Sequence, residues 1–206
     1  MKTKDFAQGL GAIAAASPLF LLAPLYRHWH VRWGATDAEI AAPMPGDELV
    51  DHPSFNTTRA ITIDAPPEDV WPWLVQIGYG KAGWYSYDLL DNAGRPSAER
   101  ILPEFQQPAI GDWVPMAAKV NETTAFKIRA FEPNRFLLWE KPKPHSTWAW
   151  KLEPLDGGRT RLITRLKDRY SWRNSLGNAL ASLILFEFGE FPMMRKLLLG
   201  VKRRAE

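Results

Sequence analysis

The sequence predicts an α+β fold in which a curved antiparallel sheet grips a long C-terminal helix. Three features carry this expectation: a strand-then-helix opening near residues 58–78, about five strand-like runs joined by short turns, and a return to helical periodicity after Ser171. A length of 206 residues suits one core, or one core with an appendage. With 46% hydrophobic and 24% charged residues, the composition excludes wholesale disorder and fibrous classes.

Taken in order, the chain opens on 21 consecutive residues without formal charge, Phe6 to Tyr26. As a helix these reach about 32 Å, enough to cross a bilayer core. Tyr26, Trp29 and Trp33 alternate with Arg27, His28, His30 and Arg32 in the manner of an interfacial belt. Residues 1–33 are therefore expected to be a single-span membrane anchor of undecided orientation, with the membrane contacted through residues 6–26. Two alternatives stay open: a cleaved signal peptide, with Lys2 and Lys4 ahead of Ala14-Ala15-Ala16, giving a secreted protein, or a helix packed on a cytoplasmic soluble domain.

Pro43, Pro45, Gly46 and Pro53 mark residues 34–57 as an extended linker or strap, and the folded domain is expected over 58–206. Thr58 to Ile63 alternates as a strand. The following Asp64-Ala65-Pro66-Pro67-Glu68-Asp69 supplies a cap, early prolines and acids for a helix, with Val70, Trp71, Leu74 and Ile77 on one stripe. A short helix is expected around Tyr85–Asn92, ending at Gly94. Strands follow at about 113–117, 123–131, 135–141, 146–153 and 160–168, separated by short Pro, Asn and Gly turns that favour antiparallel meanders. In the last segment Leu180, Leu183, Ile184, Phe191, Met194, Leu198 and Val201 share approximately one face, and Pro192 is expected to bend or interrupt the helix.

The absence of cysteine removes disulfides, thiolate metal sites and cysteine nucleophiles. A pI near 9.2 invites a nucleic-acid reading, so the location of the charge matters. Residues 1–33 carry a net +3 and residues 195–206 a net +4; subtracting both from the total of +3 leaves −4 for residues 34–194. That mildly acidic body argues against nucleic acid as a partner. The four histidines lack metal spacing, and no nucleophile elbow or P-loop is present, so neither metal nor cofactor is expected. Gly78-Tyr79-Gly80-Lys81-Ala82-Gly83 matches a dinucleotide-binding fingerprint literally, but it follows a helix rather than a strand and reads as a helix-ending loop.

With 10 Trp, 10 Phe and 5 Tyr, the chain either packs large rings into its core or lines a cavity with them. Trp84-Tyr85-Ser86-Tyr87-Asp88 gathers phenols, an indole and a carboxylate able to bind or to move protons. Trp148 and Trp150 share a strand face by the two-residue period, with Trp139 on a neighbouring strand. Glu187 and Glu190 interrupt an apolar stretch of the last helix and either face solvent or face a ligand. Candidate ligand-binding residues are Trp71, Trp84, Tyr85, Tyr87, Asp88, Trp139, Trp148, Trp150, Glu187 and Phe191. Candidate acid–base residues are Tyr85, Tyr87, Asp88 and Glu187. Nothing in the sequence decides the oligomeric state.

Several blocks carry a resemblance: Arg32-Trp33-Gly34-Ala35-Thr36, Pro45-Gly46-Asp47, Thr58-Arg59-Ala60-Ile61, Val70-Trp71-Pro72-Trp73-Leu74, Gly83-Trp84-Tyr85-Ser86-Tyr87-Asp88, Gly111-Asp112 and the closing Leu198–Glu206. Together they resemble the SRPBCC, or helix-grip, superfamily of START-like and polyketide cyclase/dehydratase-like proteins, and within it a bacterial group with a hydrophobic N-terminus. The resemblance implies a deep, largely apolar cavity between the sheet and the C-terminal helix. It also implies binding of a hydrophobic or amphipathic small molecule such as a lipid or polyketide, with enzymes of cyclase or dehydratase type a minority. It carries no catalytic set. A third possibility, a membrane-tethered partner-binding domain, is favoured if aromatic side chains fill the cavity.

Overall fold

The computed structural model describes residues 25–142, 145–169 and 189–206. A six-stranded antiparallel sheet runs in the order β1-β6-β5-β4-β3-β2. Its strands are β1 (Phe55–Ile63), β2 (Trp113–Pro115), β3 (Ala125–Glu132), β4 (Phe136–Pro142), β5 (His145–Leu155) and β6 (Arg159–Asp168). Strands two to six form the meander expected from the short turns. The first strand closes onto the last, so residues far apart in sequence share one face. With a helix after β1 and a C-terminal helix on the same sheet face, this α+β arrangement fits the helix grip.

Five helices are present among the described residues. Residues 25–30 form α1, followed by α2 (Asp37–Ala41), α3 (Pro67–Val75), α4 (Asp88–Asp91) and α5 (Glu190–Ala205). Helix α3 starts where the sequence says it should, with Pro67 in its first turn and Glu68 and Asp69 complementing the dipole, and it buries Val70, Trp71, Trp73, Leu74 and Val75. Helix α4 is shorter than expected. Tyr85 adopts φ 54° and Tyr87 is extended, so only one turn forms after Tyr87. Among the described residues α5 runs unbroken from Glu190 to Ala205 through Pro192, so the expected interruption is not seen there. The expected inward stripe of α5 is present: Phe191, Met194, Leu198 and Val201 are all buried.

Both sheet faces are covered. The inner face packs against α3 and α5 in one continuous core. On the outer face Ala60, Leu138, Ala149 and Ile163 meet Met44 and Leu49 of the strap. The stretch expected to be extended contains α2, started by a capping box between Thr36 and Glu39, and a 3₁₀ turn at Asp47–Leu49. Ion pairs fasten it: Arg161 to Glu39 at 2.6 Å, Arg165 to Asp47 at 2.6 Å and Lys167 to Asp47 at 2.9 Å. Residues 31–33 run along the free edge of β1, where Thr58 and Ala60 donate to the carbonyls of Val31 and Trp33. An otherwise open strand edge is thereby blocked.

Among the described residues no helix is long and apolar enough to cross a membrane. Most of the expected span, residues 6–24, lies outside the described residues, as does the first part of the expected C-terminal helix with Leu180, Leu183, Ile184 and Glu187.

Candidate functional site

Strand register sorts the inner-face residues into rows. The outermost row runs Phe55, Asp168, Ser146, Lys141 across β1, β6, β5 and β4. Below it lie Thr57, Leu166, Trp148, Trp139 and Ile128, then Arg59, Thr164, Trp150, Leu137 and Phe131. Helix α5 enters at the third row, where Arg59 bonds Glu190 at 2.5 Å, and it runs down to Thr62 and Asp64. The first row therefore sits four residues of β1, about 13 Å, beyond that entry point.

The second and third rows are filled with rings. Trp148 stacks on Trp150 at 5.1 Å and on Trp84 at 5.6 Å, and Trp139 meets Trp148 and Trp150 edge-on at 5.3 and 5.4 Å. Phe126 closes the group at 5.7 Å from Trp148. Offset stacks and T-shaped pairs are the favoured ring geometries, so these contacts add to simple burial. Trp148 donates its indole N–H to Thr164 Oγ1 at 2.9 Å. The indole N–H groups of Trp139 and Trp150 are buried with no acceptor among the described residues.

Beside Phe55 the first row is polar although its side chains are buried: Ser146 is fully enclosed, Asp168 is 3% exposed and Lys141 is 8% exposed. The ammonium of Lys141 lies 4.8 Å from the centre of the Phe126 ring. Burial pushes the Lys141 ammonium pKa down, and the Asp168 charge opposes that shift. Burial pushes the Asp168 carboxyl up, opposed by the neighbouring Ser146 hydroxyl, which also donates to Lys167 O at 3.0 Å, and by the Lys141 charge. The arrangement places a donor, a hydroxyl and a carboxyl at one end of an aromatic wall.

The residues singled out in the sequence separate into three groups. Trp84, Trp139, Trp148 and Trp150 come together in the stack. Trp71 is buried too, but faces Phe131 at 6.2 Å. Phe191 lies at the start of α5 among Trp29, His30 and Trp33, with Arg59 5.3 Å from its ring centre. The Tyr85–Asp88 block is bound into the framework. The Tyr85 hydroxyl donates to Trp73 O at 3.2 Å and accepts from Gln76 at 2.8 Å, and burial pushes its pKa up. Asp88 accepts from the Ser97 hydroxyl at 2.5 Å and from its backbone N–H at 3.1 Å. Tyr87 is exposed, beneath the Lys196 ammonium at 3.9 Å. Glu187 lies outside the described residues.

Sequence reasoning passed over Lys141, Ser146 and Asp168. The two-residue period could have found them, since Lys141 is two beyond Trp139, Ser146 two before Trp148 and Asp168 two beyond Leu166. The glycine motif forms a helix-ending loop: Gly78 and Gly83 pair in an isolated bridge, and Lys81 turns back to donate to Val75 O at the end of α3. Among the described residues, no group of three or more potential metal ligands forms. A cleft of about 210 Å³ opens on the other face of the sheet, between α2 and β5–β6, lined by Glu39, Met44, Lys151, Glu153 and Ile163 among others.

No protein-family model matches the sequence, and no curated protein does. Among solved structures the chain is similar to protein MLL2253 from Mesorhizobium loti, with 19% identity and a TM-score of 0.41 over 72% of this chain and 98% of that one. It is also similar to the Polyketide_cyc-like protein Cgl2372 from Corynebacterium glutamicum, at 18% identity and TM-score 0.45 over 72% and 89%. A third is the KanY protein, at 10% identity and TM-score 0.45 over 73% and 97%. These are likenesses of fold.

Proposed function

We propose that the chain binds a hydrophobic or amphipathic small molecule on the inner face of the sheet, with its polar end at the Lys141–Ser146–Asp168 row and its apolar part against Trp148, Phe126 and Trp84. The observation that carries this is the burial of a lysine and an aspartate beside an aromatic wall. Such a pair is a poor way to gain stability, because desolvating two charges costs about as much as their attraction returns. Perturbed charged pairs in recesses are more characteristic of binding and reacting sites. The acceptor-less indole N–H groups of Trp139 and Trp150 add buried donors to the same face. Rings fill the second and third rows in place of the expected open apolar cavity, an outcome that also favours a partner-binding domain. The ligand reading is therefore confined to the first row, beyond Glu190.

The test combines native mass spectrometry of the protein purified from its host with titration by a fluorescent fatty acid. Saturable uptake is expected, and Lys141→Met should weaken it about tenfold, the value of one charge-assisted hydrogen bond. Absence of any bound molecule together with no uptake, or uptake indifferent to Lys141→Met, would overturn the reading.

A second reading, catalysis of cyclase or dehydratase type, is favoured by the opposed pKa shifts of Lys141 and Asp168, which suit proton exchange. On that reading Asp168→Asn removes turnover of a polyketide-like substrate while binding persists.

A further inference from the structure

We infer that the face around the first turns of α5 is a docking surface for an anionic lipid bilayer, composed of Leu25, Trp29, Leu89, Leu90, Arg195 and Lys196. Exposure is the first observation. Leu89 is 80%, Leu90 72%, Leu25 68% and Trp29 51% exposed. Single exposed apolar residues need no explanation, but a contiguous group rimmed by cations does.

Contiguity follows from the contacts. Trp29 packs on Phe191 at 4.8 Å and the Arg195 guanidinium lies 5.3 Å from the Trp33 ring centre, which sets residues 25–33 along one flank of α5. On the other flank Ser86 donates to Met193 O at 3.0 Å and Lys196 covers Tyr87, the N-cap of α4, two and three residues before Leu89 and Leu90. Between the flanks, Pro192, Arg195, Lys196 and Leu199 form the outward stripe of α5.

Charge decides the occupant. Arg195 and Lys196 are exposed and have no carboxylate partner among the described residues, each lying over an aromatic ring instead. Among the described residues the acids near the patch are engaged elsewhere or turned inward: Glu190 with Arg59, Asp37 with Arg32, Asp88 with Ser97, and Asp91, which follows Leu90, with its carboxylate buried. Exposed leucines and an indole interleaved with unpaired cations match the boundary between acyl chains and anionic headgroups. The uncharged run from Phe6 reaches the patch at Leu25, so the most apolar stretch of the sequence joins the fold at this face.

The absence of cysteine makes the test clean. An environment-sensitive fluorophore is attached to Leu89→Cys, and in a separate sample to Val120→Cys, in the full chain. Each is mixed with vesicles of phosphatidylcholine containing 30% phosphatidylglycerol, and with pure phosphatidylcholine vesicles. The label at 89 should shift to the blue and brighten with the anionic vesicles while that at 120 stays unchanged, and Arg195→Gln with Lys196→Gln should weaken the response by roughly tenfold. A chain that binds vesicles while the label at 89 stays unchanged would overturn the inference. So would equal responses at both positions, or indifference to the double substitution. A shift at 89 that follows protein concentration without vesicles would assign the face to a second copy of the chain instead.

Discussion

At the residue scale, the two stacked tryptophans of β5 offer a direct comparison. Trp148 and Trp150 share a face and neighbours, but only the Trp148 N–H has an acceptor. Trp148→Phe loses a buried hydrogen bond as well as volume, whereas Trp150→Phe also removes an unsatisfied donor. The Trp148 variant is expected to be less stable by about 1 kcal/mol or more in urea unfolding, and the opposite order would contradict the assigned hydrogen bonds. Lys141 and Asp168 differ in kind. A group whose carboxyl pKa is raised on folding contributes stability below its unfolded pKa and loses it as pH rises through the folded value, so the contribution of Asp168 falls as its carboxyl ionises. Replacing the pair together, Lys141→Met with Asp168→Leu, should hold or raise the melting temperature while removing the proposed binding. Asp168→Ala alone leaves a buried cation and should lower it.

At the element scale, the strap depends on carboxylates with the opposite sign. The Arg161 hydrogen bond holds Glu39 below its ordinary 4.5; for Asp47, burial acts upward but is outweighed by hydrogen bonds from Lys167 and the Met44 N–H and by the Arg165 charge, leaving it below 3.8. A depressed carboxyl pKa contributes stability that is present above the unfolded value and lost as pH falls through the folded one. Residues 35–50 should therefore gain hydrogen exchange below about pH 4 before β5 and β6 do, and simultaneous exposure would show that these ion pairs do not govern the strap. Helix α5 depends on close approach instead. A Cβ on Gly200 would lie 2.4 Å from Tyr85 O, so Gly200→Ala must push the helix off the Tyr85 backbone. A loss of about 1–3 kcal/mol in thermal unfolding is expected.

At the scale of the whole molecule, residues 31–34 act as the seal of the sheet. Gly34 adopts φ 74°, and a Cβ there would meet Ala60 O at 2.1 Å, so the backbone lies directly on β1. Arg59, buried beneath, donates to His30 O at 2.7 Å. Removal of residues 1–34 bares the β1 edge and takes away a partner of a buried guanidinium. The product should melt lower than the full chain and self-associate in light scattering, and Gly34→Val in the full chain should lower the melting temperature in the same direction; a truncated product as stable and monodisperse as the full chain would dismiss the seal.

By itself the sequence determined the α+β class, the order of elements and most strand positions. These rest on local physics: the two-residue period of Thr58–Ile63 and 146–153, the prolines and acids opening α3, and the turn residues between strands. It also placed Trp148 and Trp150 on one face. Only the tertiary structure decided that Trp84 and Trp139 join them, that Tyr85 and Asp88 hold the framework together, and that Lys141, Ser146 and Asp168 meet in a buried row. Those outcomes depend on the register of β4, β5 and β6, which sets Lys141 beside Ser146 and Ser146 beside Asp168, and on the long-range packing of the 84–88 segment against the sheet and α3. A period says which face a side chain takes, but register says what stands opposite it, and register is fixed only when the whole sheet closes.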